Sequence, residues 1–165
     1  MTIKVIFLDI DGVLIPVSGG THKGFNSRNI DNLNELVKKT GAKIVVSSDW
    51  REKGYDYVQD VLSEVGVNGE IIDITPKFKI IHDEYGEVKV PRGLEIQQWI
   101  KKYNTFDGEN LDYVLNYVIL DDHLNNMMID QLEHMVEINQ TKGFDGKALH
   151  DALIILNKET YETTF

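Results

Sequence analysis

The chain has no cysteine, 3 prolines in 165 residues, and 17 basic side chains against 27 acidic ones. Without cysteine there are no disulfides, no thiolate catalysis and no cysteine-held zinc or iron–sulfur centre. The formal net charge of -10 denies the chain a general positive field for gripping long nucleic acid. It leaves room for a local basic pocket around a single phosphate or a strand end. No apolar run approaches the roughly 20 residues that span a bilayer. The opening MTIKVIFLDID is broken by aspartates and followed by no small-residue cleavage site, so it does not read as a signal peptide. A cytoplasmic protein is expected.

What is present suits one folded unit. At 42% hydrophobic and 27% charged residues, the composition supports a packed core, and the length suits a single domain over 1–165. Short β-branched runs read as buried strands at 3–8, 43–46, 70–74, 117–120 and 134–138. Helical spacing predicts helices over 26–39, 54–65, 92–103 and 146–156, with a short one at 125–132. A hairpin is expected over 77–90, turning at 84–87, and 104–116 reads as loop. Strands alternating with helices imply βαβ units and a parallel sheet covered on both faces.

In such sheets, functional residues collect in the loops at the carboxyl ends of the strands. Three strands here end in polar residues: Asp9 and Asp11, Ser47 and Ser48, and Asp121 and Asp122. Carboxylates crowded at one edge repel one another unless a divalent cation neutralises them. An all-oxygen donor set selects Mg2+ over zinc. A serine hydroxyl can donate to a phosphoryl oxygen, and a nearby cation can balance the charge developed in phosphoryl transfer. The implied chemistry is Mg2+-assisted phosphoryl transfer with a carboxylate as candidate nucleophile. Each piece also has a purely structural reading. Asp-x-Asp-Gly can form a turn, and Ser47-Ser48 and Asp121-Asp122 can each cap the helix that follows.

At these residues the sequence resembles the haloacid dehalogenase (HAD) superfamily of phosphatases. FLDIDGVL matches the first motif, VVSS the second and VILDD the fourth, while PRGLEIQQWI sets a cation at a helix start where the third motif belongs. The segments VVSSDWR, TP, RGLEIQQWI and YVILDD look like the HAD domains of nucleic-acid repair phosphatases of the polynucleotide 3'-phosphatase kind. The resemblance implies a Rossmann-like three-layer α/β/α sandwich, capless or with a minimal cap. It implies Asp9 as nucleophile and Asp11 as the acid and base. Ser47 would hold a phosphoryl oxygen, with Ser48 as its substitute. Gly12 would allow the turn beside them, and Arg92 would stabilise charge, with Lys77, Lys79 and Lys89 as competitors for that role. The metal ligands would be Asp9, Asp11 (through its backbone carbonyl), Asp121 and Asp122.

The substrate expectation is a phosphomonoester, with a DNA or RNA 3'-phosphate end as the leading case. A nucleotide or sugar phosphate is the alternative, and a non-catalytic phosphate-binding module a further one. Lys23, Arg28, Arg51, Lys53, Lys77, Lys79, Lys89 and Arg92 fall near the catalytic edge and read either as a phosphate track or as solvated surface. Arg51 and Lys77 are the expected substrate contacts among them. Trp50, Tyr55, Tyr57 and Phe78 are candidates for stacking on bases or for packing, and His22 is a loop residue within reach of substrate. A response-regulator receiver fits less well, because its phosphorylated aspartate follows a middle strand rather than the first.

Overall fold

The computed structural model describes residues 2–78, 81–84, 86–104 and 113–158. Its centre is β1 (Thr2–Leu8), whose last four residues are buried. On one side β1 pairs in parallel with β4 (Lys43–Val46), and on the other with β8 (Tyr113–Asp121). The outer strands β5 (Ile71–Ile74) and β9 (Met135–Glu137) complete the sheet in the order β5-β4-β1-β8-β9. Every pairing in it is parallel. The fold is therefore α/β, with a mainly parallel sheet flanked by helices, as the strand and helix alternation implies.

Alternation along β1 divides the core into two layers. Ile6 and Leu8 join a cluster built with α1 (Ser27–Thr40), α2 (Tyr55–Glu64) and α4 (Gly146–Leu156), through Leu33, Val58 and Ala152 among others. Val5 and Phe7 face the other way, onto Ile96 and Trp99 of α3 (Arg92–Tyr103). There the Phe7 ring meets Trp99 edge-on with centroids 5.5 Å apart. Helix α1 begins where Asn26 accepts from the Arg28 and Asn29 amides, and it ends at Gly41 with φ 67, the left-handed cap that glycine tolerates.

Two small hairpins lie outside the sheet. Val17–Ser18 (β2) pairs with Thr21–His22 (β3), so His22, read as a loop residue, lies on a short strand. Ile81–Asp83 (β6) pairs with Gly86–Val88 (β7), as expected, although Tyr85 of the turn lies outside the described residues. Two other readings change. Strand β8 starts at Tyr113 rather than Tyr117, because its first half pairs with the partly solvated start of β1 and so lacks a fully apolar pattern. The helix expected at 125–132 is instead two 3-10 segments, Leu124–Asn126 and Ile129–His134. Among the described residues no helix is long and apolar enough to cross a membrane.

One buried ion pair ties the segments around the carboxyl end of the sheet. Arg51, in the 3-10 helix Asp49–Lys53, donates to Glu95 of α3 at 2.7 Å and to the Thr75 hydroxyl at 3.1 Å. The second Glu95 oxygen accepts from the Phe78 amide at 3.1 Å. Both charged side chains are about 95% buried, at 4% and 5% exposure, so removing one partner strands the other in a low dielectric. Glu95→Ala is expected to cost about 3–5 kcal/mol in urea unfolding, and Glu95→Gln less. A loss under about 1 kcal/mol would show that the pair is effectively solvated.

Candidate active site

The register of the central strands builds the site. Leu8 of β1 is level with Val46 of β4 and with Leu120 of β8. Asp9, Ser47 and Asp121 each come one residue later, so all three emerge on one rung. The amide bonding continues past the strands: Asp9 donates to the Leu120 carbonyl at 3.0 Å and Ser47 to the Leu8 carbonyl at 2.8 Å. The three polar side chains are buried, at 5%, 2% and 1% exposure.

Just past Asp9 the chain folds into a tight turn in which the Gly12 amide donates to the Ile15 carbonyl at 2.8 Å. Gly12 has φ 81, and a Cβ there would lie 2.4 Å from Asp122 Oδ2. Only glycine permits both the backbone angle and the approach of Asp122. The turn lifts Asp11 toward solvent, at 39% side-chain exposure against 7% for Asp9. A recessed carboxylate and a second one at the mouth are thereby set side by side in the chain.

Asp11 is held from two sides. The Trp50 indole N–H donates to Asp11 Oδ2 at 3.0 Å, and His22 Nε2, carried by the β2–β3 hairpin, lies 3.5 Å from Oδ1. Trp50 itself packs edge-on against Phe25. Sequence reasoning named Trp50 as a candidate for base stacking or packing and His22 as a candidate substrate contact. Their link to Asp11 spans an interval of 39 residues for Trp50, and no local pattern announces it.

Arg92 joins the carboxylates. Its Nη1 lies 2.8 Å from Asp121 Oδ2 and 3.3 Å from Asp9 Oδ2, while Nη2 reaches Asp49 at 3.5 Å. The planar fork of arginine suits contacts in several directions, which the point charge of a lysine does not. Two features fix its position at the start of α3. A Cβ on Gly93 would sit 2.3 Å from Gln131 Oε1, and Gln131 clamps this turn by donating to the Gly93 carbonyl at 2.7 Å while accepting from the Met128 amide. Glu95 anchors the same turn to Arg51.

The charges are strongly perturbed. Burial is the main cause that pushes the Asp9 carboxyl well above its ordinary range; Asp121 adds to this and Arg92 opposes it. Asp121 is raised in the same way by burial, against the pull of Arg92. Burial alone would lower the Arg92 guanidinium, but Asp9 and Asp121 outweigh it and hold the group above its ordinary value. Arginine therefore stays charged, while the two buried carboxylates resist ionising together.

Asp121, Asp122 and His123 each offer one ligand atom within 4.8 Å of the others. His123 Nδ1 lies 2.8 Å from Asp122 Oδ1 and was not anticipated. Asp9 is joined to Asp121 through Arg92. The donor chemistry of Asp9, Asp121 and Asp122 fits a hard divalent cation, which would relieve the repulsion that Arg92 relieves only in part.

The remaining candidates separate. Ser47 Oγ is buried with no hydrogen-bond partner among the described residues. Ser48 accepts from the Trp50 amide and caps the 3-10 helix, which is its structural reading. Arg51, expected as a substrate contact, forms the buried pair with Glu95 and also borders the cleft beside Arg92. Lys77 pairs with Glu52 at the surface and, with Lys89, borders a cleft beside Arg92. Lys79 lies outside the described residues.

Residues 5–149 match the family described as the HAD domain in Swiss Army Knife RNA repair proteins. The chain belongs to this family. Nothing among curated proteins or among solved structures matches it. Membership in this HAD family accords with the sheet, with the motif resemblance, and with a phosphatase-type function. The match takes in β1 from Val5 onward, β4, β8 and Arg92, and so every residue of the rung.

The raised carboxyls determine a pH dependence. A carboxyl raised on folding contributes stability that is complete below the ordinary carboxylate range and is lost as pH rises through the raised value. In chelator, Asp9→Asn is expected to melt above wild type near neutral pH, by about 2–4 °C for each kcal/mol relieved. The difference should vanish near about pH 4. Scanning calorimetry at the two pH values checks this, and a less stable Asp9→Asn at neutral pH would mean that the attraction to Arg92 prevails over burial.

Proposed function

We infer that this domain is a Mg2+-dependent phosphomonoester hydrolase that removes a 3'-phosphate from an RNA end through an aspartyl-phosphate on Asp9. The observation that carries the reading is the buried Ser47 hydroxyl, which has no hydrogen-bond partner among the described residues and stands on the same rung as Asp9, the carboxylate that Arg92 contacts. An orphaned buried donor costs about 1–3 kcal/mol, and a phosphoryl oxygen would satisfy it. The RNA assignment is supported by the family description. The open mouth, with no cap domain among the described residues, suits a substrate that brings its own bulk.

In this reading Asp9 attacks phosphorus as the bond to the 3'-oxygen breaks, and Asp11 gives its proton to that oxygen. Ser47 and Arg92 hold the phosphoryl oxygens while charge accumulates on them. Asp11 then takes a proton from water, the water attacks phosphorus, and inorganic phosphate leaves with Asp9 restored. Trp50 and His22 keep the Asp11 carboxyl aimed at the leaving group, and the proton it gives up in the first half is replaced by the one it takes from water in the second. A divalent cation held by Asp9, Asp121, Asp122 and the Asp11 backbone carbonyl would supply charge neutralisation and a further hold on the phosphoryl group.

With Mg2+, wild type should release phosphate from a 3'-phosphorylated RNA oligonucleotide faster than from nucleoside monophosphates or an aryl phosphate. Asp9→Asn should abolish release, and Ser47→Ala should lower kcat by about 10²–10³-fold. A preference for mononucleotides would move the assignment to metabolite dephosphorylation with the chemistry intact. Equal rates for wild type and Asp9→Asn would remove the catalytic reading.

A further inference from the structure

A second space opens beside Arg92, away from Asp9. It is a cleft of about 320 Å³, within the range of about 300–1,000 Å³ that small-ligand sites occupy. Its walls come from the 3-10 helix Asp49–Lys53, the loop after β5, the start of α3 and the segment after His123. The buried Arg51–Glu95 pair fastens the first three of these together, through Thr75 and the Phe78 amide. The cleft is thus shaped by internal bonding rather than left to loop motion.

Its lining has three chemistries in one place. Phe78 is 39% exposed, and none of the ring contacts among the described residues involves it. Among the described residues, four basic side chains line the cleft against three acidic ones, and each of those acids already has a basic partner: Glu95 with Arg51, Glu52 with Lys77, Asp49 with Arg92. Of these described lining residues, Lys89 is the positive charge left over, on a chain whose formal charge is -10. Asn126, exposed on the wall, offers both a donor and an acceptor.

We propose that this cleft binds the terminal nucleoside of the RNA strand whose 3'-phosphate lies at Asp9. The base stacks on Phe78, and Lys89 meets the phosphodiester that precedes it. The proposal rests on the phosphatase reading and adds the subsite that makes the enzyme select strand ends. Arg92 links the two spaces, since it lines the cleft and touches Asp9. A ligand that spans both therefore passes Arg92 on its way from the cleft to Asp9. Stacking on an aromatic ring tolerates any base, so the subsite selects an RNA end without selecting its sequence.

The test is fluorescence anisotropy of a short 5'-labelled RNA carrying a 3'-phosphate, with Mg2+, on the Asp9→Asn protein. Adding Phe78→Ala should weaken binding by about 10-fold, from the value of one base–aromatic stack. An RNA whose last nucleotide is abasic should bind Asp9→Asn about as weakly, and Phe78→Ala should then cause no further loss. Lys89→Gln should lower the slope of log Kd against log salt by about 0.7, which keeps the proposal testable if Phe78→Ala fails to fold. Full affinity in Phe78→Ala, or additive losses from the ring and the base, would overturn the subsite. So would failure of Asp9→Asn to bind any RNA end while wild type still hydrolyses an aryl phosphate, and that result would leave the phosphatase reading standing. Absence of hydrolysis on every substrate, with RNA binding intact and dependent on Phe78, would do the reverse.

Discussion

Strand β1 is bonded on both sides, and the register with which β4 and β8 meet it decides where every reactive side chain stands. Side chains alternate along a strand, so a slip of one residue would turn Asp9 or Asp121 into an apolar layer. The apolar runs prevent the slip. Ile6 and Leu8 must enter one layer and Val5 and Phe7 the other, and β4 and β8 obey the same alternation. Packing energy distributed over two core layers thus fixes three polar residues that contribute little to the core themselves.

That arrangement concentrates negative charge where water is scarce, and the molecule balances it only partly. Arg92 bridges Asp9 and Asp121, yet both carboxyls stay raised because burial exceeds what one guanidinium returns. The site is therefore less stable than an apolar plug of the same shape would be. The strain in charge is also what would draw in a cation and a phosphate. Support for this unstable centre comes from below: Gly93 and Gln131 clamp the first turn of α3, and the buried Arg51–Glu95 pair holds it from the other side. Two arginines 41 positions apart in the sequence thus divide the work, one carrying charge at the site and the other keeping it in place.

Much of the strand and helix order can be read along the chain because each element's pattern is local. The exceptions are where local pattern is weak. The first half of β8 is amphipathic and reads as loop until it is paired with the solvated start of β1. The residues at 124–134 have helical composition, but the clamp from Gln131 and the close approach of Gly93 hold them as 3-10 turns. His123 stands beside a recognised aspartate pair and was missed because a lone histidine in a loop carries no periodic signal.

What the sequence by itself determined was the set of strand-end residues, since each of Asp9, Ser47 and Asp121 directly follows a short β-branched run that reads as a buried strand. The tertiary structure alone decided their company. It paired Arg51 with Glu95 at the edge of a cleft, turned Trp50 toward Asp11, left Ser47 with no partner among the described residues, and set Phe78 in the wall of that cleft. These outcomes depend on residues 24 to 44 positions apart meeting or failing to meet. Contacts at that separation are set by how layers pack and how loops cross the sheet edge, and no short-range pattern of residues encodes them.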